Sequence, residues 1–319
     1  MRAVMLEEVG RLAVREVPVP QLQDGTVLLR VVRASVCNGS DSAVFSGRRD
    51  AGVAYPWMTF PFSIGHECAG EVVAVGAGVT GVEVGERVAS LKYGGAFADY
   101  QLVRVKQDGL IPVPESLSWD EATFLEPMYA TNCYMPHVGQ GDRLVIIGCG
   151  PSGILLLQQS LACGAADVIC ADRHDLRLEI AASLGAAATV NVERDDLQAV
   201  VRDTLAEADG VIDATGWDVY DQAMKLLRAG GKVIAYGVPD SGVHFDGTRF
   251  YFRGLRILTK VYDFGATTAR MAALLDSGCM DLTTFVTHHF PLERAPDAIR
   301  MALDEPGECL AMVIDVGEP

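Results

Sequence analysis

The segment Arg143–Gly153 (RLVIIGCGPSG) decides the expected fold. Its first five residues form a short apolar run with the length and composition of a buried strand. Glycines then follow at the spacing GxGxxG, and an apolar stretch of helical length runs from Ile154 to Cys163. A strand, a glycine-rich turn and a helix in direct succession are the context in which this spacing predicts a phosphate-binding turn. The first turn of such a helix offers free N–H groups to a pyrophosphate.

The sequence assigns specific residues to a bound dinucleotide. The turn itself contributes Gly148, Gly150, Pro151, Ser152 and Gly153. Asp172 ends the next strand-like run, 19 residues after Gly153. An acid there can accept hydrogen bonds from a ribose diol and repels a 2′-phosphate, which favours NAD over NADP. The neighbouring Arg173 could accommodate such a phosphate, so NADP stays the less favoured alternative.

Short apolar runs continue at regular intervals after this turn and alternate with helical stretches. Such an alternation predicts a parallel sheet covered by helices on both faces, and six strands in this order predict a doubly wound α/β domain. The further strands are expected at Asp167–Ala171, Thr189–Val192, Gly210–Ala214, Lys232–Tyr236 and Arg256–Val261.

The chain on either side of this region has a different pattern. Residues 1 to about 105 are rich in β-branched runs, such as Thr26–Val36 and Glu71–Val75, and in glycines. This pattern predicts a compact, β-barrel-like domain of short strands and turns. The tail predicts helices at Thr267–Ser277 and Ala295–Asp304 and a final strand at Ala311–Val316.

Composition excludes several classes of partner. The net charge of -16 argues against nucleic acid and anionic membrane surfaces. No uncharged apolar run reaches the length of a transmembrane helix, about 18 residues. The eight cysteines contain no CxxC pair, and the N-terminus lacks the apolar region of a signal peptide. We therefore expect a reducing, cytoplasmic location.

Four residues outside the glycine-rich turn have the chemistry of metal ligands. Cys37 follows a strand-like segment, His66 and Glu67 lie in the stretch GHECAG, and Glu126 stands just before the nucleotide-binding region. Thiolate, imidazole and carboxylate together suit Zn²⁺, which takes S, N and O ligands. Three protein ligands with an open fourth position would make the site catalytic rather than structural.

The set of motifs resembles the zinc-containing alcohol and polyol dehydrogenases of the medium-chain dehydrogenase/reductase superfamily. The stretch Gly65–Gly76 carries that family's zinc signature, GHExxG followed by a glycine six residues later, and Glu126-Pro127 is similar to the sorbitol- and threonine-dehydrogenase-like branch. The resemblance implies a GroES-like catalytic domain, residues 1–127 with 265–319, and a Rossmann NAD-binding domain, residues 128–264. It also implies that Arg177 helps to hold the adenosine moiety.

The resemblance further implies a function and an assembly. A zinc-dependent enzyme of this kind transfers a hydride between a secondary alcohol and NAD, and the branch favours polyols, sugars, cyclitols or amino-alcohols. Relatives pair through the last Rossmann strand, so we expect a homodimer or homotetramer, with Leu255–Tyr262 at the seam. The expected partner is a small alcohol or ketone. Arg48, Arg49, Trp57, Met58 and Phe60, in the loop of residues 47–62, are expected either to line the substrate pocket or to lie on the surface.

Three departures from the family pattern change the expected site. The lobe of four cysteines that binds a structural zinc is missing, so we expect one catalytic zinc per chain. The hydroxyl that relays the alcohol proton falls one residue late, at Ser40, because Gly39 occupies its usual place. The histidine that often completes the relay is replaced by Ser42 and Ala43.

The assignment of the metal ligands leaves one alternative open. Cys37 and His66 are expected as firm ligands, and Glu67 and Glu126 share the remaining roles, one binding the metal while the other holds a water or exchanges with it. Two other functions also stay open. One is a zinc-free quinone or enoyl reductase of the same superfamily, and the other is a catalytically silent NAD-binding relative.

Overall fold

The computed structural model describes residues 1–48 and 59–318. The chain divides into two compact units. The first comprises Met1–Glu126 and Phe285–Pro319, and the second comprises Pro127–Thr284.

The first unit is built on a seven-stranded sheet and a three-stranded sheet. The larger sheet has the order β15-β16-β3-β5-β6-β8, with β7 also paired to β3, and the smaller one has the order β2-β1-β4. Their strands are β1 Arg2–Glu8, β2 Arg11–Glu16, β3 Thr26–Ser35, β4 Phe62–Ser63, β5 Glu67–Val75, β6 Arg87–Ser90, β7 Tyr100–Arg104, β8 Leu110–Pro112, β15 Val286–Pro291 and β16 Ala311–Asp315.

Both ends of the chain contribute to the core of this unit. Leu29 and Val31 of β3 pack in one buried cluster with Met312 and Ile314 of β16. The short helices are α1 Ser40–Phe45, α2 Val105–Asp108 and α3 Trp119–Ala122, and the longer α11 spans Ala295–Asp304. Apolar residues recur along one side of α11, and the buried ones include Ala298 and Ile299. The carboxyl end of the chain therefore completes the fold begun by the amino end.

The second unit contains a six-stranded sheet in which every pairing is parallel, with the order β11-β10-β9-β12-β13-β14. This arrangement confirms the predicted doubly wound domain. Its strands are β9 Arg143–Ile147, β10 Asp167–Asp172, β11 Ala188–Asn191, β12 Ala208–Asp213, β13 Leu227–Ala235 and β14 Arg256–Leu258. The helices between residues 125 and 276 are α4 Leu125–Asn132, α5 Pro151–Ala162, α6 Asp175–Ser183, α7 Leu197–Leu205, α8 Tyr220–Leu226, α9 Gly247–Phe252 and α10 Phe264–Asp276.

The order of the strands places a switch point at β9. This strand pairs with β10 on one side and with β12 on the other, so the chain winds outward in both directions from it. Ligands of open α/β sheets bind beyond the carboxyl ends of the strands at this point. The glycine-rich segment begins directly after β9, at Gly148.

Several details of this unit differ from the sequence-based expectation, among them the start of β13 at Leu227 rather than at Lys232. The last strand, β14, ends at Leu258 rather than at Val261. The segment 265–284, which the sequence assigned to the first domain, belongs to the second unit. Its helix α10 is held there because Arg270 Nε donates to Asn132 Oδ1 at 3.0 Å, and the backbone N–H of Asp281 donates to Gln158.

Candidate functional site

Cys37 lies two residues after the end of β3, in the turn that leads into α1. Two hydrogen bonds fix this turn. The Cys37 backbone N–H donates to Asp41 Oδ2 at 3.0 Å, and the Ser40 backbone N–H donates to Cys37 Sγ at 3.4 Å. A sulfur that accepts an N–H bond has part of its negative charge stabilised in advance.

Glu67 is the first residue of β5, which pairs antiparallel with β3, and His66 immediately precedes it. The pairing sets Glu67 opposite Ser35, two residues before Cys37. Gly65 has a φ of +87°, and a Cβ there would lie 2.8 Å from the ring of Phe97. The glycine before His66 is therefore required by both backbone conformation and packing.

Ligand atoms of Cys37, His66 and Glu67 lie within 4.8 Å of one another. We call these three residues the zinc cluster. His66 and Glu67 are buried, and Cys37 is half-buried. Sulfur, imidazole nitrogen and carboxylate oxygen form a donor set that Zn²⁺ accepts, and three donors leave a fourth tetrahedral position open. The residues present therefore fit a catalytic zinc ion.

The electrostatics of the zinc cluster favour a bound cation. Burial raises the pKa of the Cys37 thiol, and the nearby Glu67 raises it further. Burial also raises the pKa of Glu67 to about 8, and it raises the pKa of Glu126. The nearby His66 lowers each of these pKa values, but the effect of burial is larger, so the three groups still resist ionisation. A divalent ion supplies positive charge and replaces the protons.

Asp41 is a residue of this site that sequence reasoning missed. It is buried in α1, and its Oδ1 lies 3.4 Å from Nδ1 of His66. His66 Nδ1 is buried and forms no well-directed hydrogen bond. A carboxylate beside one ring nitrogen favours the tautomer with its proton on that nitrogen, which leaves the lone pair on the other. Its position four residues after Cys37 is a signal that could have suggested it.

Tyr93 and Ser35 also contact the cluster, and no sequence pattern marks either residue. The Tyr93 ring stacks on His66 with a centroid distance of 4.3 Å and an interplanar angle of 13°. Ser35 Oγ donates to Glu67 Oε2 at 2.5 Å. Each is a single polar residue within an ordinary strand or turn, so only the tertiary structure identifies it.

The remaining predicted residues of this site have more distant roles. Glu126 lies in α4, and its charge acts on the Glu67 carboxyl and raises its pKa. It is outside the group of ligand atoms within 4.8 Å, as far as the described residues go. Ser40 is the first residue of α1, and its backbone N–H donates to Cys37 Sγ. In the loop of residues 47–62, Arg49, Trp57 and Met58 lie outside the described residues, and Phe60 is exposed.

The second candidate site is the turn Gly148–Gly153, which we call the glycine turn. Gly148 has a φ of +98°, and a Cβ there would lie 2.8 Å from the side chain of Thr215. A Cβ on Gly153 would lie 1.9 Å from the carbonyl oxygen of Gly148. A larger residue at Gly153 would push α5 away from the end of β9, and one at Gly148 would clash with the segment that follows β12. These glycines bring the helix N-terminus close to the sheet edge, where a pyrophosphate can reach its N–H groups.

Asp172 ends β10 beside the glycine turn. Its Oδ2 accepts the Cys149 N–H at 2.7 Å, and its Oδ1 accepts the N–H groups of Arg173 and His174 at 2.7 and 3.0 Å. These bonds hold an ionised carboxylate in a fixed orientation. Each oxygen has more than one lone-pair direction, so the carboxylate can still accept ribose hydroxyls.

The other predicted cofactor residues surround the same turn. Arg177 Nη1 lies 4.0 Å from the position of a Cβ on Gly150, and Arg173 is exposed. Pro151 is the first residue of α5, and Ser152 Oγ shares a 2.8 Å hydrogen bond with Tyr236. The glycine turn, the acid and one basic side chain therefore lie together in the second unit, and the residues fit a bound dinucleotide.

Comparison with known proteins matches two domain families to two separate stretches of this chain. Residues 23–115 match the alcohol dehydrogenase GroES-like domain, and residues 151–277 match the zinc-binding dehydrogenase domain. Sorbitol dehydrogenase from Bacillus subtilis is 27% identical, with 98% of this chain and 97% of that protein covered. L-threonine 3-dehydrogenase from Chromobacterium violaceum is 28% identical, with 88% and 90% covered. Alcohol dehydrogenase TADH from Thermus sp. ATN1 superimposes with a TM-score of 0.86 at 27% identity, covering 99% of this chain and 100% of that one.

The chain belongs to the zinc-type medium-chain alcohol and polyol dehydrogenases. The predicted family, the predicted fold class and the prediction of an alcohol-oxidising enzyme are confirmed. The alternative of a zinc-free reductase is not favoured, because the matched relatives are alcohol and polyol dehydrogenases. A small-molecule alcohol as substrate agrees with this family. Within residues 1–48 and 59–318, no helix is both long enough and apolar enough to cross a bilayer.

Proposed function

We propose that this dehydrogenase oxidises a secondary alcohol of the polyol, sugar, cyclitol or amino-alcohol type and uses NAD as the hydride acceptor. The observation that carries the proposal is the zinc cluster, where sulfur, nitrogen and oxygen donors lie within 4.8 Å of one another. The matched sorbitol dehydrogenase and L-threonine 3-dehydrogenase support the substrate class, since sorbitol is a polyol and the 3-hydroxyl of threonine is a secondary alcohol.

In this proposal Cys37, His66 and Glu67 hold one zinc ion, and no structural zinc is present. A bound zinc acts as a Lewis acid that lowers the pKa of an alcohol. Asp41 fixes the tautomer of His66, and Tyr93 holds the imidazole plane by stacking. The Ser40 hydroxyl is the proposed acceptor of the alcohol proton, which it passes on toward solvent, while its backbone N–H steadies the Cys37 sulfur.

The preference for NAD is proposed from the charge at Asp172. The three N–H bonds it accepts keep this carboxylate oriented. An adenosine ribose with a free 2′-hydroxyl would donate to it, and a 2′-phosphate would be repelled. Gly148, Gly150, Pro151, Ser152 and Gly153 would hold the pyrophosphate, and Arg177 would support the adenosine moiety.

A proposed homodimer or homotetramer is supported by the outer edge of the second unit. In the described chain β14 pairs only with β13, so its other edge has no backbone partner. Two aromatic residues of the neighbouring α9, Tyr251 and Phe252, are 77% and 80% exposed. An edge strand beside exposed aromatic rings is a surface that a second copy can cover. Sedimentation measures the number of copies.

A substrate panel tests the proposed function. Purified enzyme is given sorbitol, inositol, threonine, 2,3-butanediol and ethanol with NAD or NADP, and NADH or NADPH formation is followed by absorbance. We expect activity on at least one secondary alcohol, with kcat/KM higher for NAD than for NADP. Activity confined to ethanol, or a preference for NADP, would contradict the proposal.

A further inference from the structure

Ser35 makes a contact with the zinc cluster that the proposed mechanism does not use. It is the last residue of β3 and lies directly opposite Glu67 in the antiparallel pair β3–β5. Residues directly opposite in such a pair point to the same face of the sheet. Ser35 is fully buried and Glu67 is 6% exposed, so water does not compete for the contact.

The hydrogen bond between these residues has one possible direction when Glu67 binds a metal. Ser35 Oγ lies 2.5 Å from Glu67 Oε2, and a metal-ligating carboxylate is ionised and can only accept. A short O–H···O⁻ bond of this length is charge-assisted and stronger than a neutral one. The hydroxyl therefore fixes the rotation of the carboxyl group, and with it the direction in which the second oxygen, Oε1, points.

The two carboxylates near the metal site, Glu67 and Glu126, differ in whether a hydroxyl group donates a hydrogen bond to them. Glu67 contributes a ligand atom to the zinc cluster, whereas Glu126 lies outside it in the described chain. Burial raises the pKa of both carboxyl groups. The bond from Ser35 is present at Glu67, and no hydroxyl donor to Glu126 is seen among the described residues. In metal sites, a carboxylate ligand is commonly oriented by a hydrogen-bond donor.

We propose that Ser35 is a positioning residue that holds Glu67 as the carboxylate ligand of zinc and thereby excludes Glu126 from that role. The inference rests on the proposed function, because it assigns a ligand to the zinc that the function requires. Ser35 touches neither substrate nor cofactor in this account. Its effect passes through the orientation of the Glu67 carboxylate.

Zinc affinity provides a measurement that is independent of turnover. The apparent Kd for zinc is determined by competition with a chromophoric chelator for the wild type and for Ser35→Ala. We expect the Kd to rise about 10- to 100-fold, the usual effect of removing a partner that orients a metal ligand. An unchanged Kd in a folded Ser35→Ala variant that binds one zinc would overturn the inference.

A double-mutant cycle shows whether the effect passes through Glu67. In the Glu67→Gln background, adding Ser35→Ala should change the zinc Kd less than twofold, because the anionic acceptor is already gone. In the Glu126→Gln background, Ser35→Ala should retain its full effect. Equal effects in the two backgrounds would indicate a general loss of packing and would contradict the inference.

Two controls separate this inference from stability and from the proposed function. Ser90→Ala removes another buried hydroxyl from the same sheet, at β6, and should leave the zinc Kd unchanged. Ser35→Thr and Ser35→Val have nearly the same shape, so the hydroxyl-bearing Thr variant should bind zinc more tightly even if Ser35→Ala fails to fold. Wild-type protein that binds no zinc would refute the proposed function, whereas normal zinc binding with no effect at Ser35 would refute only this inference.

Discussion

The zinc cluster and the glycine turn depend on different physical properties of the chain. The zinc cluster brings together side chains from the turn before α1 and from the start of β5, and burial raises the pKa values of Cys37 and Glu67. The glycine turn depends on backbone geometry within six consecutive residues, and a side chain at Gly148 or Gly153 would clash. The first site depends on charge and the second on shape, so variants should affect them in separable ways.

The largest expected effect is on the chemistry of the zinc cluster. Cys37→Ala removes the sulfur ligand, and the lost Lewis acid is worth several kcal/mol, so kcat/KM should fall by about 10³-fold or more. The measurement is the initial rate of NADH formation together with zinc content per chain. Binding of NADH, followed by its fluorescence, should be nearly unchanged because the glycine turn is intact.

The matched variant Cys163→Ala removes a half-buried thiol from the other unit and should keep both activity and zinc. Full activity of Cys37→Ala without bound metal would contradict the claim that the zinc cluster supplies the chemistry while the glycine turn binds the cofactor.

The next effect concerns the cost of burying charge in the metal-free zinc cluster. The Glu67 carboxyl has a pKa of about 8 in the fold, against an ordinary value of 4.5, because of burial. Unfolding then releases a proton between these pH values, so apo-protein stability falls as the pH rises from about 4.5 to about 8. Glu67→Gln removes this dependence. At pH 8 it should raise the apo free energy of unfolding by up to roughly 4 kcal/mol.

Urea unfolding of the metal-free proteins at pH 5.5 and pH 8 measures this difference, with the exposed Glu83→Gln as control. The increase in the free energy of unfolding that Glu67→Gln produces should be small at pH 5.5 and larger at pH 8. A reversed pH trend would mean that the carboxylate is stabilised by its surroundings without a metal. In the zinc-bound protein the variant should instead be less stable than the wild type, because a ligand is lost.

A smaller effect is expected at the glycine turn. Gly153→Ala places a Cβ 1.9 Å from the Gly148 carbonyl oxygen, so α5 must shift. We expect a loss of about 1–3 kcal/mol in stability. The Kd for NADH should rise about tenfold, while zinc content stays at one ion per chain. Calorimetry and fluorescence titration measure these changes.

Gly247→Ala is the matched control, since no atom lies within 4 Å of a Cβ at that helical position. It should leave both stability and NADH binding within a few tenths of a kcal/mol of the wild type. Loss of zinc in Gly153→Ala would contradict the separation of the two sites.

The smallest expected effect is on cofactor choice. Asp172→Asn keeps the size of the side chain and removes its charge, so the repulsion of a 2′-phosphate is lost. The ratio of kcat/KM for NAD to that for NADP should fall about tenfold, or 1.4 kcal/mol. The exposed Asp175→Asn, three residues away, should leave the ratio unchanged. An unaltered ratio in Asp172→Asn would remove the basis for the proposed NAD preference.

The difference between the two regions also explains what the sequence could predict. The strand, turn and helix around the glycine turn are consecutive, and β9 has the bounds that were predicted, Arg143–Ile147. The helix Ala295–Asp304 was likewise predicted at its observed bounds, because its apolar residues recur at helical spacing. Local patterns carry this information without any knowledge of the tertiary structure.

Other elements depend on contacts that no local pattern records. The strand expected at Glu71–Val75 begins at Glu67, because pairing with β3 extends it through residues of low strand propensity. Helix α10 begins at Phe264, where Asp263 accepts the Ala266 N–H, and Arg270 ties it to the second unit.

The same limit applies to the zinc cluster. Sequence motifs suggested Cys37, His66 and Glu67, and spacing from Cys37 could have suggested Asp41, but the contacts of Ser35 and Tyr93 are recorded only in the tertiary structure.

Zinc titration of the metal-free enzyme tests the central claim most directly. Apo-enzyme prepared with a chelator is given increasing zinc in the presence of NAD and the best alcohol of the panel, and the initial rate is recorded at each addition. The account predicts no measurable rate without metal, a linear rise and a plateau at one zinc per chain. Full activity in the chelated enzyme would contradict it.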